Sequence, residues 1–392
     1  MESDNDGRPF DRLHRNQIYQ RAKNVDDTIP FGTRRDVYDV HHEWACHSMW
    51  PTAITDEAGK RVTIGAATYG TGKPYSASVL NISGMSYGAI SDNAILALNQ
   101  GARMGNFYHN TGEGGVSRFH LQGGGDLVWN VGTGYFGCGS GTGANRVFEP
   151  AGMKETIDSS DGRIKMIEIK LSQGAKPGHG GILPKAKITQ EIATTRKLDF
   201  PPTGDCHSPA RHSSFSNAYE LVEFIARVRE ISGGIPVGIK MCVGEPGDVA
   251  TLCKAMVEIG NGPDFISVDG AEGGTGAAPP ELSNSVGLPL EEGLVCVRNF
   301  LVGAGLKDKT MINASGRIGS GFSLVRTAAL GADITCAARS FMLSLGCIQA
   351  LKCNTNKCPT GIATLNKELM YGLDPELKTS RGKLFCGCRT LG

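Results

Sequence analysis

The feature that most constrains the fold is an alternation of short apolar runs, glycine-rich loops and amphipathic helical segments, which begins near residue 77. The apolar runs have the length and the β-branched content of buried strands, and helical periodicity separates most of them. Eight such units in a chain of 392 residues favour an α/β fold with a closed (β/α)8 TIM barrel over an open sheet. The predicted strands cover 79–83, 106–109, 166–171, 204–206, 237–242, 265–269, 311–314 and 334–337, and the predicted helices cover 92–104, 189–196, 218–231, 248–259, 292–302 and 320–330. The run 127–131, inside a long glycine-rich stretch from about 110 to 165, is a further candidate strand, so the strand count stays open by one.

Charge and composition exclude several classes of function. The 40 Lys and Arg residues balance the 39 Asp and Glu residues, and no basic stripe predicts a nucleic-acid partner. No apolar run approaches the roughly 18 residues of a membrane span, and the polar first residues do not resemble a secretory signal. Twelve cysteines without such a signal predict a reducing, cytoplasmic location, with an organelle, or an upstream segment or anchor, left open.

A cysteine-rich loop late in the chain predicts an inorganic centre. Cys347, Cys353 and Cys358 follow a C-x5-C-x4-C pattern, and a proline comes directly after the last of them. Cysteine is the usual ligand of iron–sulfur clusters, and Cys-Pro commonly ends such a ligand run. Structural zinc sites usually have four ligands in two close pairs, whereas this loop has three cysteines and only one pair, Cys353 and Cys358, with such a spacing. Three buried thiols acting as small hydrophobes are the structural alternative, and Cys386 and Cys388 are more typical of an ordinary tail than of a metal site.

Two consecutive strand ends predict a phosphate site. The seventh unit continues into a loop that holds Ser315, Gly316 and Arg317, and the eighth into one that holds Ala338 and Arg339. Both loops open a helix, and barrels favour phosphate at this position. The alternative is a pair of tight turns that simply need small residues. The 54 glycines of the chain, about twice the average share of ~7%, indicate backbone that approaches a ligand closely.

Charged residues at other strand ends predict contacts with anions. Lys240 ends an otherwise apolar strand, where it would pair with a reduced flavin ring or with a structural carboxylate. Lys170 lies at the end of the predicted strand 166–171, Lys176 on the loop that follows and Arg196 on the next helix; together they suit a carboxylate substrate, and solvated surface residues are the alternative for each. The histidine-rich loop 205–212 could supply a proton donor or hold structural histidines.

Five stretches together resemble the FMN-binding synthase domain of glutamate synthases, and in particular a short, stand-alone branch of that family. They are SGMSYGAIS (83–91), NTGEGG (110–115), IEIKLSQGAKPG (167–178), GGTGA (273–277) and the cysteine loop. In this order they extend over about three-quarters of the chain. Residues 1–75 form a polar, irregular N-terminal extension with a few short strands (61–65). The synthase domain is expected at 76–365, including the cluster loop 346–361, and a C-terminal tail at 366–392.

The resemblance implies an oxidoreductase of nitrogen assimilation that acts on CH–NH2 groups. In this family, electrons pass through a 3Fe–4S cluster to FMN, and 2-iminoglutarate, formed from 2-oxoglutarate and ammonia, is reduced to L-glutamate. The carried-over roles are as follows: cluster ligands Cys347, Cys353 and Cys358; catalytic residues Lys240, Glu113 and Lys176; substrate-binding residues Lys176, Arg196, Lys170 and Gln173; and FMN-binding residues Ser83, Gly84, Met85, Thr111, Lys240, Gly273, Gly274, Ser315, Gly316, Ala338 and Arg339.

The chain departs from the family at the expected substrate site. The longer enzymes have G-E-G-G-Q-L-P where this chain has GHGGILP (178–184), so that Ile182 replaces a glutamine that helps to bind 2-oxoglutarate. His179 is the second difference. A different imine or amino acid, as in an N-methylglutamate synthase, is therefore the alternative substrate, and a non-catalytic electron-transfer subunit is a third interpretation. No amidotransferase domain and no dinucleotide-binding fingerprint is visible, which predicts free or partner-supplied ammonia and an external donor such as ferredoxin or an NAD(P)H-oxidising subunit.

Overall fold

The computed structural model describes residues 9–25, 32–51, 61–65, 69–141, 145–276 and 278–377. Its strands are β1 (Val62–Ile64), β2 (Tyr75–Ala77), β3 (Leu80–Ile82), β4 (His109–Asn110), β5 (Leu127–Val131), β6 (Gly139–Ser140), β7 (Val147–Phe148), β8 (Ile164–Lys170), β9 (Ile182–Leu183), β10 (Cys206–His207), β11 (Val237–Met241), β12 (Phe265–Asp269), β13 (Met311–Ser315) and β14 (Ile334–Ala337). Its helices are α1 (Arg12–Ala22), α2 (Asp92–Gly105), α3 (Arg118–Gly123), α4 (Pro150–Asp158), α5 (Gln190–Arg196), α6 (Ala218–Ile231), α7 (Pro246–Ile259), α8 (Pro280–Ser285), α9 (Leu290–Gly303), α10 (Gly321–Ala329), α11 (Arg339–Ser344) and α12 (Lys367–Met370).

Eight parallel strands close into a barrel in the order β3-β4-β5-β8-β11-β12-β13-β14. Each strand pairs with the next barrel strand along the chain, and β14 closes the ring on β3. The strands are buried on both faces, as the continuous apolar runs of the sequence require. The predicted (β/α)8 barrel is confirmed, and 218–231, 265–269 and 334–337 have the predicted bounds.

Two strand predictions need correction. The third barrel strand is β5, at 127–131, whereas 204–206 contributes no barrel strand: Cys206 and His207 pair antiparallel with Leu183 and Ile182 in a hairpin outside the barrel. The predicted strand 106–109 is reduced to its end, because Asn106 adopts a left-handed conformation (φ 53°) and caps α2. Asparagine tolerates that conformation, so a helix cap took precedence over the apolar run that follows.

The segment before the barrel contains a helix that the sequence did not predict, in addition to a short strand within the predicted range 61–65. It contains α1, which packs on α11 at the far end of the chain, and the β1–β2 hairpin. Phe10 and Ile18 are buried against the barrel helices. No helix within the described ranges is both long and apolar enough to cross a bilayer. Cys386 and Cys388 lie outside the described residues.

An ion pair lies at the opposite end of the barrel from the strand carboxyl ends. Asp264, just before β12, accepts hydrogen bonds from the Arg229 guanidinium at 3.0 and 3.2 Å and from the backbone N–H of Val237 at 2.8 Å. Its second carboxylate oxygen accepts from the Thr71 hydroxyl at 2.6 Å. Both charged side chains are almost fully buried. The pair therefore joins α6 to the starts of β11 and β12.

Candidate functional site

A cavity of about 490 Å³ lies at the carboxyl ends of the barrel strands, the end at which barrel enzymes carry their active sites. Its volume is typical of a small-molecule site. Thr111 is the exception among the predicted site residues: it does not line the cavity, and its hydroxyl donates to the carbonyl of Gly112 at 2.9 Å. The predicted residues that line the cavity are Ser83, Gly84, Met85, Glu113, Lys170, Gln173, Lys176, Arg196, Lys240, Gly273, Gly274, Ser315, Gly316, Ala338, Arg339, Cys347, Cys353 and Cys358.

One side of the cavity is cationic. Arg339, the first residue of α11, donates from Nη2 to the carbonyl of Glu272 at 2.8 Å. Burial, and then the repulsion of Arg317, lower the pKa of Arg339 to about 10. A guanidinium that burial disfavours in this way is stabilised by an anion. The two arginines therefore suit a phosphate group.

The backbone around these arginines is open because the loops carry glycine. A Cβ at Gly274 would lie 2.9 Å from Nη1 of Arg339, and one at Gly84 would lie 2.8 Å from Oδ1 of Asn110. The backbone N–H groups at the start of α10 are less available to an anion than the sequence indicates. The hydroxyls of Ser320 and Ser323 accept from each other's backbone N–H groups in a capping box. An anion on this side therefore meets the loop residues and the arginines rather than the end of α10.

Lys240 lies on the floor of the cavity as a buried cation. Its Nζ is 3.4 Å from Oδ2 of Asp269, and the same oxygen accepts the backbone N–H of Gly174 at 2.9 Å. Burial alone would lower the pKa of Lys240, but the carboxylates of Asp269 and Glu168 raise it above its usual value. Lys240 is thus protonated at neutral pH. The structural ion pair and an anion in the cavity are compatible, since Lys240 can serve both.

Three cations and one carboxylate meet on another wall. Oε2 of Glu113 is 3.1 Å from Nζ of Lys170. Burial alone would raise the pKa of Glu113, but Lys170, Arg196 and Lys176 together lower it. The pKa of Lys176 is lowered by burial, and its Nζ donates to the carbonyl of Gly180 at 2.8 Å. This wall carries more positive than negative charge, which favours a substrate with carboxylate groups.

Arg196 presents an unused donor to this wall. The residue is 4% exposed, and its Nη2 donates to the carbonyl of Tyr87 at 2.9 Å. Its Nε has no hydrogen-bond partner among the described residues. Arg146, which no sequence motif marks as a site residue, donates to the carbonyl of Arg196 at 3.3 Å. The guanidinium carbon lies over the ring of Phe136 in both residues, 4.8 Å from the ring centroid for Arg196 and 5.2 Å for Arg146. Arg146 and Phe136 therefore hold Arg196 in place.

The β9–β10 hairpin lies against the wall that carries Glu113, Lys170 and Lys176. Ile182 lines the cavity, whereas His179 is exposed and lies outside the lining. Ser208, directly after β10, also lines the cavity. His212 is buried, and its Nε2 is 2.9 Å from the carbonyl of Lys170. Burial lowers the pKa of His212 to about 4, so it is a structural support of the Lys170 backbone and not a proton donor at neutral pH.

The cysteine loop forms a further wall of the same cavity. Gln349, Leu351 and Asn356 adopt left-handed backbone conformations in it, and such strain concentrates at functional sites. Burial alone would raise the pKa of Cys358, but hydrogen bonds from the Thr360 side chain and from backbone N–H groups lower it. A set of donors directed at one sulfur stabilises a thiolate.

Lys187 ties the cysteine loop to the barrel. Its buried Nζ donates to the carbonyls of Cys353 at 2.9 Å, Ala89 at 3.0 Å and Ala363 at 3.2 Å.

Among the described residues, no group of three or more Cys, His, Asp or Glu side chains could hold a metal ion. In a cluster each thiolate binds a different iron, so its ligands lie farther apart than those of a single ion. The cluster therefore stays a prediction.

The N-terminal segment contributes to the site in a way that the sequence did not indicate. Phe10 lines the cavity, and its ring lies 5.3 Å from the guanidinium carbon of Arg339. Its carbonyl accepts from Nε2 of Gln349 at 3.2 Å, and the Tyr19 hydroxyl donates to the carbonyl of Cys347. The segment thus bridges the cationic side and the cysteine loop.

Comparisons with known proteins identify a family and several similar chains. The family described as the conserved region in glutamate synthase matches residues 53–385. The glutamate synthase large subunit-like protein YerD of Bacillus subtilis is 40% identical over 308 residues, which cover 78% of this chain and 57% of that protein. An archaeal-type glutamate synthase [NADPH] of Thermotoga maritima is 34% identical over 298 residues, which cover 76% of this chain and 54% of that protein. Among solved structures, mandelate oxidase with (S)-2-phenylpropionate matches 86% of this chain and 81% of its own, at 16% identity and a TM-score of 0.43.

The matched region contains the whole barrel and the cysteine loop. The chain belongs to the glutamate synthase family. It spans little more than half the length of the curated relatives it matches.

Proposed function

We propose that this chain binds FMN in the barrel cavity and a 3Fe–4S cluster on the cysteine loop, and that it reduces 2-iminoglutarate to L-glutamate. The observation that carries the proposal is that a cationic loop pair, a buried lysine, a wall with net positive charge and three cysteines line one cavity. FMN fits the first two features. Arg317 and Arg339 provide charge for its phosphate, the glycine backbone leaves room for it, and Lys240 faces the cavity as a cation.

The net positive charge of the wall that carries Lys170, Lys176 and Arg196 supports a substrate with two carboxylate groups. 2-Oxoglutarate and ammonia combine with loss of water, and the resulting iminium carbon takes up two electrons and one proton to give glutamate. FMN, when bound and reduced, supplies that hydride equivalent. Arg196 and Lys176 would hold the two carboxylates, and the unpartnered Nε–H of Arg196 can donate to one of them without breaking an existing contact among the described residues.

Glu113 and Lys176 would handle protons next to the substrate. The ion pair with Lys170 keeps Glu113 ionised, so it can accept a proton from ammonium but cannot donate one at neutral pH. Lys176, whose pKa burial lowers, is the better proton donor of this group. An external electron donor, such as ferredoxin or an NAD(P)H-oxidising subunit, and free or amidotransferase-derived ammonia belong to the same proposal.

The proposal is tested on protein that is purified without oxygen. We expect FMN to be released on denaturation, iron and sulfide to be present in a ratio close to that of a 3Fe–4S cluster, and a Cys353→Ser variant to lose the iron. With 2-oxoglutarate, ¹⁵N-ammonium and a chemical reductant, we expect labelled glutamate. Protein without flavin after anaerobic purification and FMN reconstitution would refute the cofactor part.

Ile182 favours a second candidate, in which the same cofactors serve another imine or amino acid. It lines the cavity with an apolar side chain, and a site without the expected polar contact loses discrimination for the substrate that needs it. Methylamine in place of ammonium tests this candidate through formation of N-methylglutamate. If Ile182→Gln alone brings efficient use of 2-oxoglutarate and ammonia, the second candidate describes the natural protein.

A further inference from the structure

A layer of polar side chains crosses the barrel interior under the cavity. Barrel interiors are normally filled by bulky branched residues, but here the carboxylate of Glu168, in the middle of β8, is 1% exposed. Its Oε1 accepts from Nδ2 of Asn110 at 2.8 Å and from Nδ2 of Asn130 at 2.6 Å, and its Oε2 accepts from the Ser267 hydroxyl at 2.6 Å. These donors come from β4, β5 and β12.

The direction of these hydrogen bonds makes Glu168 an anion. The amide nitrogens of Asn110 and Asn130 can only donate. The Ser267 hydroxyl oxygen accepts from Nδ2 of Asn313 at 2.8 Å, which leaves its proton for Glu168. With three donors directed at it, the carboxyl group needs no proton of its own, and no ion pair of the described residues includes it.

Asn130 connects this anion to the cavity. The residue lines the cavity wall and is 2% exposed. Because its Nδ2 is bound to Glu168, its Oδ1 is the group left over, and that oxygen has no partner among the described residues. A buried acceptor without a partner is costly. Glu168 therefore fixes the Asn130 amide in the orientation that offers an acceptor.

The cavity floor thus combines an acceptor at Asn130 with a cation at Lys240. The pyrimidine ring of a flavin has the complementary groups: an N3–H donor between two carbonyls, and an N1/O2 edge that becomes negative on reduction. The buried charge of Glu168 opposes that added negative charge, since two like charges in a region of low dielectric repel strongly.

We infer that Glu168 is a positioning residue for the flavin: it orients Asn130 to accept a hydrogen bond from flavin N3–H, and its charge keeps the flavin reduction potential low. The inference rests on the proposed binding of FMN. It goes beyond that proposal because it assigns a role to two residues in the barrel interior, and because it predicts the sign of a potential shift.

The first test measures the two-electron midpoint potential of protein-bound FMN in the wild type and in Glu168→Gln. Removal of the charge should make reduction easier by at least about tenfold in the equilibrium constant, a positive shift of about 30 mV for a two-electron couple. Glu258→Gln, which removes an exposed carboxylate on α7, is the control and should leave the potential unchanged. An unchanged potential in a folded, FMN-loaded Glu168→Gln protein would overturn the inference.

The second test keeps Glu168 and examines the hydrogen bond between Asn130 and flavin N3–H. It therefore applies even if Glu168→Gln does not fold. It compares the dissociation constants of FMN and 3-methyl-FMN, which lacks the N3–H donor, for the wild type and Asn130→Ala. The wild type should prefer FMN by about tenfold, and Asn130→Ala should lose most of that preference. Equal preference in both proteins would refute the hydrogen bond. Absence of FMN binding in the wild type would instead refute the proposed function.

Discussion

Replacement of Arg339 by methionine separates the cost of a buried cation from its use in binding. In the protein without ligand, burial and Arg317 disfavour the Arg339 charge and lower its pKa to about 10, which offsets its hydrogen bond to the carbonyl of Glu272. Its loss should therefore change the free energy of unfolding of the apoprotein little. A hydrogen bond to a charged group contributes about 1.5–3 kcal/mol, so FMN should bind about 10- to 150-fold more weakly. The same substitution thus has little effect on apoprotein stability but a large effect on cofactor affinity.

The assay is a titration of apoprotein with FMN, followed by the quenching of flavin fluorescence, next to urea unfolding of the apoprotein. Riboflavin, which lacks the phosphate, should bind equally to the wild type and to Arg339→Met. Arg298→Met, which removes an exposed arginine on α9, is the matched control for both ligands. If FMN affinity stays within about threefold of the wild type, or if riboflavin is weakened as much as FMN, the phosphate role of Arg339 is wrong.

Three further predictions concern the stability of the fold and the release of FMN. Asp264→Asn leaves Arg229 buried without its partner and should lower the free energy of unfolding by about 3–5 kcal/mol in urea denaturation, with FMN affinity unchanged; a loss below about 1 kcal/mol would contradict the contribution of the pair. Phe10→Ala should speed the release of FMN measured after dilution, because the ring covers the cationic side, whereas Tyr38→Ala, at a side chain that is 93% exposed, should not. Burial lowers the pKa of His109 to about 3, below its unfolded value near 6.5, so the neutral imidazole contributes its full stability above pH 6.5. Between pH 6.5 and 3 the contribution of His109 alone should lower the free energy of unfolding by about 1.4 kcal/mol per pH unit. His109→Leu should reduce the measured slope by this amount.

The sequence predicted the barrel because the physics of its strands is local. A run such as 265–269 is apolar throughout because both faces of a parallel strand are buried, and that property shows in the sequence whatever the partners are. Lys240 stands out in the sequence for the same reason, since a charge at the end of an apolar run needs a partner. The prediction of a barrel strand at 204–206 is wrong because so short an extended segment carries no signal of which sheet it joins.

Residues whose role depends on distant contacts were missed. Phe10 is one aromatic residue in a polar segment, and its carbonyl meets a side chain 339 positions away. Arg146 resembles any other arginine in the sequence, and only the structure shows it fixed behind Arg196. Thr111 shows the converse: it lies in a motif shared with the family, but its hydroxyl is used by the neighbouring backbone.

The contact between α1 and α11 has a consequence for how the protein is made. The ribosome releases α1 early, but the surface on which it docks is completed only when the cysteine loop has been synthesised, because Tyr19 binds a carbonyl 328 residues further on. Until then Phe10 cannot cover the cavity, so the nearly finished barrel remains open to small molecules. Although α1 is made before the barrel, it would settle after it, and its docking would retain whatever the cavity then holds.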